Sequence, residues 1–225
     1  GLRLKDGRYA LDARVRSDAL TAHAWGPGDL GKRQIGPQGV RLEAQAASLS
    51  RIVGGGPKLG AARAEGLVKG DATAWRFVGS ATVADVALGG YGLSRVSGPV
   101  EFGRAKGDLE VKAKLTGAGG QGAGFAAALL GGAPTASLEG ERLGNGQLLL
   151  RRMDVVGRGL KLQASGGRSL LGAVNFKGKA DVSNLAAARA GAAGAASIDL
   201  QASQARSAAP WTFTLDARGD RFAVG

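Results

Sequence analysis

The chain has no cysteine, a single histidine and a single methionine, and few rings: 3 Trp, 2 Tyr and 6 Phe among 225 residues. Without cysteine there is no disulfide framework, no thiol nucleophile and no zinc–thiolate site. His23, in Ala22-His23-Ala24-Trp25, has no second His or Cys with which to hold a metal or build a catalytic relay. It reads as an ordinary strand residue. No apolar run approaches the roughly 18 residues that a bilayer-crossing helix needs. The N-terminus lacks the pattern of a secretory leader. The shortage of large rings argues against a dense globular core.

Other routes to chemistry are equally bare. The glycine-rich stretch at 54–60 has no Lys-Ser/Thr pair opening a helix behind it, so it is not a phosphate-binding loop. Ser80 and Ser165-Gly166-Gly167 lack the strand–turn–helix setting of a nucleophile elbow. The acidic residues are isolated and mostly close in sequence to Lys or Arg, as surface pairs are. No enzyme emerges, and no metal or cofactor is expected.

What the chain does have is alternation. Leu109-Glu110-Val111-Lys112-Ala113-Lys114-Leu115 alternates apolar and charged residues without a fault. Residues 9–16, 40–46, 174–182 and 211–218 follow the same period, with small or neutral residues at some positions. A period of two places one set of side chains on each face of a β-sheet. The 40 glycines punctuate these runs as turns and bulges. The expected fold class is therefore all-β and mainly antiparallel: a long curved sheet with one oily and one polar face.

The formal net charge is +12, which invites a nucleic-acid reading, but its distribution speaks against one. Arg and Lys are spread thinly over the outward phase of nearly every strand, as in Arg14, Arg16, Arg41, Lys112, Lys114, Lys177 and Lys179. No run of five basic residues exists, and rings are not interleaved with basic residues as stacking platforms would be. A solvated sheet face is the simplest account, with attraction to anionic headgroups the next.

Along the chain, a hairpin spans 2–16 with its turn at Asp6-Gly7, a pair suited to positive φ. Residues 25–39 read as a loop or irregular edge, and 40–52 as a strand stopped by Gly54-Gly55-Gly56-Pro57. Residues 59–68 and 75–88 pair across Lys69-Gly70-Asp71. Residues 96–104 and 109–115 form the clearest hairpin, turning at Gly107-Asp108. Residues 119–132 lose the alternation, carry Phe125, Leu129 and Leu130 at helical spacing, and end at Gly131-Gly132-Ala133-Pro134; a short helix is expected, lying on a sheet edge or capping one end. Strands resume over 135–143, turn at Asn145-Gly146, and continue through 147–156, 160–164 and 174–182. Residues 184–196 predict a second helix, with Asn184 as its N-cap, before strands at 197–203 and 211–218. The whole, 1–225, reads as one elongated β-repeat segment of a larger protein, with loose repeat blocks opening near 119 and 184.

Function must then lie in the oily face. Leu11, Val15, Leu109, Val111, Leu115, Leu160, Leu162, Val174, Phe176, Ile198, Leu200, Phe213 and Leu215 are expected on one common concave face, with Arg14, Lys112, Lys114, Lys161, Lys177 and Lys179 pointing away. Mostly Leu, Val and Ala with interspersed Gly, that face is smooth. An unfilled trough of this kind would hold acyl chains, which contribute about 0.8 kcal/mol per buried CH₂ and require no directional partner. The same residues would equally serve as the filled core of a sandwich or β-solenoid, and composition does not separate the two.

One stretch carries a family likeness: Gly124-Phe125-Ala126 to Leu130, Pro134, Leu138-Glu139-Gly140, Asn145-Gly146-Gln147-Leu148 and Val155-Val156-Gly157-Arg158-Gly159-Leu160-Lys161-Leu162-Gln163-Ala164-Ser165-Gly166. It resembles the repeat of TamB proteins, within the AsmA-like group of bacterial envelope proteins. In that repeat a small-residue helix and a proline precede "dG-x-L-x-L" and "G-x-G-L-x-L-x-A-x-G" strands. Residues 184–203 restart the pattern and 79–116 follow it loosely. The resemblance implies a taco-like curved sheet whose greasy interior spans the periplasm of a Gram-negative cell and passes phospholipid toward the outer membrane. It also implies an outer-membrane β-barrel partner, a role in outer-membrane biogenesis and protein secretion, and an inner-membrane anchor, each through regions outside this segment. The alternative left open is a structural β-solenoid or surface-passenger domain without lipid transport.

Overall fold

The computed structural model describes residues 2–5, 8–29, 34–36, 38–53, 57–187 and 192–224. Its strands are β1 (Leu2–Lys5), β2 (Arg8–Arg16), β3 (Leu20–Asp29), β4 (Gln34–Ile35), β5 (Val40–Ala46), β6 (Ala62–Gly70), β7 (Trp75–Leu88), β8 (Tyr91–Ala105), β9 (Asp108–Ala118), β10 (Gln121–Gly122), β11 (Thr135–Arg142), β12 (Leu148–Val156), β13 (Leu160–Arg168), β14 (Val174–Val182), β15 (Ala192–Gln204) and β16 (Trp211–Val224). They form one antiparallel sheet that does not close on itself, and 69% of the described residues are strand. Apart from the two-residue strands β4 and β10, every strand pairs with its neighbour in sequence, so the sheet is a single meander. Two short helices interrupt it, α1 (Ser50–Val53) and α2 (Phe125–Leu130).

The turns follow the local chemistry. Lys106-Gly107 joins β8 to β9 as a two-residue turn with positive φ at both positions, 53° and 91°, the geometry that matches strand twist. Asp108 is already paired with Ala105, so the turn sits one residue earlier than expected. At the β11–β12 turn the Asn145 side chain accepts from the Gln147 amide at 3.0 Å and Gly146 takes φ 92°. Asp6-Gly7 lies outside the described residues; Lys5 and Arg8 on either side are paired.

Several expectations are corrected. Residues 25–29 belong to β3, and 34–35 form β4. The Gly26-Pro27-Gly28 stretch does not end the strand, because pairing with β2 holds it through Asp29. The strand from Val40 stops at Ala46, and α1 follows: the Ser50 hydroxyl donates to the Leu59 carbonyl at 3.1 Å and accepts from the Leu59 amide at 2.7 Å, tying that turn back. The helix expected over 119–132 is confined to α2, with β10 before it. The helix expected over 184–196 shrinks, within the described residues, to a single 3-10 turn, Leu185–Ala187. Asn184 does accept from the Ala186 amide at 3.0 Å. Beyond it Ala192–Gln204 is strand, because a ladder to β14 and β16 on both sides outweighs alanine's modest helix preference.

The fold has almost no enclosed core. A compact protein of this mass would expose about 9,500 Å²; this chain exposes 14411 Å². Among the described residues the buried hydrophobic side chains are Val40, Ala46, Phe77, Tyr91, Leu129, Ala164, Val182 and Ala202, and none is polar. Only Leu129, on α2, is fully enclosed. The amides of Arg158 and Gly159, between β12 and β13, donate to the carbonyls of Leu130 and Leu129 (3.2 and 2.9 Å), and the Tyr91 hydroxyl donates to Gly131 O at 2.7 Å. Thus α2 is tied to one margin of the sheet. Both helices and the 3-10 turn connect strands at this same margin, the helix rim; tight turns and short loops, at 71–74, 106–107, 143–147, 169–173 and 205–210, make the opposite margin, the turn rim.

Candidate functional site

Residues directly opposite in an antiparallel pair project to the same side, so the registers can be followed from strand to strand. Ala22, Ala44, Ala64, Ala81 and Gly98 form one such row across β3 to β8. Val111, Gly140, Leu150, Gly166, Phe176, Ala202 and Phe213 continue on the same side across β9 to β16. A bulge at Arg151-Arg152 absorbs the break in alternation in β12 and returns Met153 and Val155 to that face.

Every apolar residue singled out from the sequence falls on this one face: Leu11 and Val15; Leu109, Val111 and Leu115; Leu160 and Leu162; Val174 and Phe176; Ile198 and Leu200; Phe213 and Leu215. Arg14, Lys112, Lys114, Lys161, Lys177 and Lys179 fall on the other. The inner members are half-buried, while Val15, Phe213 and Leu215, near the two lateral ends, are exposed at 59, 64 and 63%. No second layer of the described chain covers the face.

The opposite face carries the charge. The ion pairs Arg63–Glu65, Arg76–Glu101, Arg151–Glu141, Arg152–Asp154 and Arg218–Asp216 all lie there. Arg152, Ser137 and Gln163 surround the Asp154 carboxylate, and their hydrogen bonds, Arg152's foremost, hold it below the ordinary carboxylate range. His23 Nε2 lies 2.9 Å from Asp12 Oδ1 and its ring stacks on Trp25 at 4.3 Å, with Arg41 over the Trp25 ring. This hydrogen bond is the main cause of the lowered Asp12 pKa. Three surface depressions of about 470, 560 and 590 Å³ lie among these polar-face side chains. A fourth, about 380 Å³, opens at the turn rim beside Trp75 and Arg104. None of these four lies in the middle of the apolar face.

The apolar face owes its smoothness to a device that the alternation alone did not reveal. Phe77 lies over two glycines: a Cβ on Gly66 or on Gly79 would stand 2.7 Å from its ring. Phe176 repeats this over Gly166, where a Cβ would come within 3.1 Å of the ring, and Gly178, at 3.6 Å. Tyr9 covers Gly28. A ring laid flat on cross-strand glycines shields bare backbone and does not stand up into the space above. The signal in the sequence is Phe-x-Gly, at Phe77-Val78-Gly79 and Phe176-Lys177-Gly178. The cross-strand glycine that completes each pair is visible only once the register is known.

No family model, curated protein or solved structure matches the chain. Its function therefore rests on the geometry above.

Proposed function

We propose that this chain is a segment of a hydrophobic conduit that carries phospholipid acyl chains along its apolar face, between the inner and outer membranes of a Gram-negative envelope. One observation carries this reading: the apolar phase of every long strand from β2 to β16 falls on a single, continuous face that no other part of the described chain covers. An uncovered face of this extent is far beyond the few hundred Å² that a soluble surface ordinarily leaves apolar. Alkyl chains suit it because they need no hydrogen-bond partner and no shaped pocket. The resemblance of residues 124–166 to TamB repeats supports the envelope setting. It further suggests an outer-membrane barrel as the partner served, through regions other than this segment.

The test is photocrosslinking of phospholipid from probes placed at Val111 and Leu162, beside thermal melting of Val111→Asp and Leu162→Asp. A conduit predicts crosslinks at both positions, and aspartate variants that keep their fold yet lose lipid contact, because on an open face the carboxylate still reaches water. A structural solenoid predicts no crosslink and unfolding, because the charge is then buried without a partner.

A further inference from the structure

The apolar face is not uncharged to its margins. Among the described side chains that the strand registers place on it, the charged residues are Arg104, Arg142 and Arg168; Asp85, at positive φ near the helix-rim end of β7, is skipped by the register. The three arginines share one cross-strand row at the turn rim. Arg104 stands opposite Trp75 and Leu109, Arg142 opposite Leu109 and Leu148, and Arg168 opposite Leu148 and Val174. An arginine therefore recurs on every second strand, at a pitch of about 9.5 Å from the inter-strand spacing. All three are exposed, and none joins an ion pair among the described residues. Glu101 and Glu110, close by in sequence, project to the polar side, and Glu101 is paired with Arg76.

The helix rim of the same face is of opposite character. Ala46, Ala62, Val83, Val96, Gly117, Val155, Leu160 and Val182 stand there without a charge. From Arg168 to Leu160 along β13 the face runs about 26 Å, longer than the roughly 15 Å that one leaflet of acyl chains occupies. An exposed cation at one end of an apolar strip of that length fits a molecule with an anionic head and a long tail. The guanidinium also offers the forked donors that phosphate oxygens accept. Trp75 stands at one end of the row, its ring 5.3 Å from Phe102, edge to face. Trp211, stacked on Phe213 at 5.9 Å, occupies the corresponding position on β16. Indole rings favour the boundary between headgroups and tails.

We propose that Arg104, Arg142 and Arg168 are a row of phosphate-binding positions that hold phospholipid headgroups at the turn rim, with the acyl chains lying along the strands toward the helix rim. This rests on the lipid-conduit reading and adds a polarity to it: lipids lie side by side, all heads at one margin, each step along the row being two strands.

The experiment incubates the whole chain with phosphatidylcholine vesicles carrying a trace of pyrene-labelled phosphatidylglycerol or pyrene-labelled diacylglycerol, and measures label co-eluting with protein. The variants are Arg104→Gln/Arg142→Gln/Arg168→Gln together and, as a charge-matched control on the polar face, Lys112→Gln/Lys114→Gln/Lys177→Gln. The rim variant should bind about tenfold less phosphatidylglycerol, the control should stay within about twofold of wild type, and diacylglycerol uptake should be equal in all three. Lysine at the three rim positions should restore part of the loss, since it keeps the charge but not the fork. Equal phosphatidylglycerol loss in rim variant and control would reduce the effect to bulk charge and overturn the proposal. So would an unaffected rim variant, or one that loses diacylglycerol as well. If wild type takes up neither lipid, the conduit reading itself fails; if it takes up both and the rim variant matches it, only the arginine row fails.

Discussion

The two faces of this sheet are written in the same residues, one position apart, yet they are held in different ways. On the polar face, neighbours meet through ion pairs and hydrogen bonds between exposed side chains, as around Asp154 and between Arg76 and Glu101. Each such contact is worth little, being hydrated and screened. On the apolar face the contacts are rings on glycines and branched side chains on alanines, and the buried residues of the strands collect there. The lesson is that a single-layer sheet is stabilised from one side and made soluble from the other. Substitutions one residue apart should therefore have unequal consequences.

The sharpest contrast is at Gly79 and Ser80. A valine at Gly79 meets both the Phe77 ring and the Glu65 carbonyl across the strand, and should destabilise the chain by about 3 kcal/mol in denaturant unfolding. Valine at the exposed Ser80 should change stability by no more than about 0.5 kcal/mol. Similar costs at the two positions would dissolve the distinction between the faces. At the helix rim, Leu129→Ala should cost about 2–3 kcal/mol, since it empties the one fully enclosed side chain. Leu171→Ala, at a residue 85% exposed, should leave the melting temperature unchanged.

A smaller stability effect with a larger functional one is expected at Val111 and Lys112. Val111→Asp should lower stability by only about 1 kcal/mol while abolishing lipid crosslinking nearby; Lys112→Gln, which adds no carboxylate between Glu101 and Glu139, should do neither. Smallest of all is the acid sensitivity of the polar face. Asp154 has a folded-state pKa below its unfolded value, so its contribution is present above the ordinary carboxylate pKa and disappears as pH falls through the depressed one. Melting curves of wild type should therefore drop slightly more than those of Asp154→Asn between about pH 4 and about pH 2. A steeper drop in the variant would reverse the assignment.

The division into faces was legible in the sequence because period two is a local property, visible in Leu109 to Leu115 before any pairing is known. The antiparallel meander followed from turn chemistry at Gly107 and Asn145-Gly146 for the same reason. What escaped notice depends on residues far apart or on strand length. The glycines under Phe77 and Phe176 are defined by register, not by sequence distance. Of the turn-rim arginines, Arg168 was hidden because its strand extends beyond Ala164, where the pattern weakened into Ser165-Gly166-Gly167; Arg104 and Arg142 lay inside expected strands, and only the register lines the three up. At 192–196 the alanines pointed to helix, and only the ladders on both sides of β15 made them strand. Residues 25–29 were read as a loop from Gly and Pro content, although β2 supplied every partner the backbone required.

The meander has one more consequence, for how such a chain comes apart. Every long strand is paired with its neighbours in sequence and with nothing distant, so the structure behaves as a row of dominoes and not as a closed box. Such a row can begin to form at any hairpin and grow outward, and it loses order from its two open sides before its middle. Loosening the pair β9–β11 would leave β2–β9 and β11–β16 each with its own ladder intact. Damage is thereby confined to the stretch that suffers it, and the length of the sheet can change by whole hairpins without redesign of the rest.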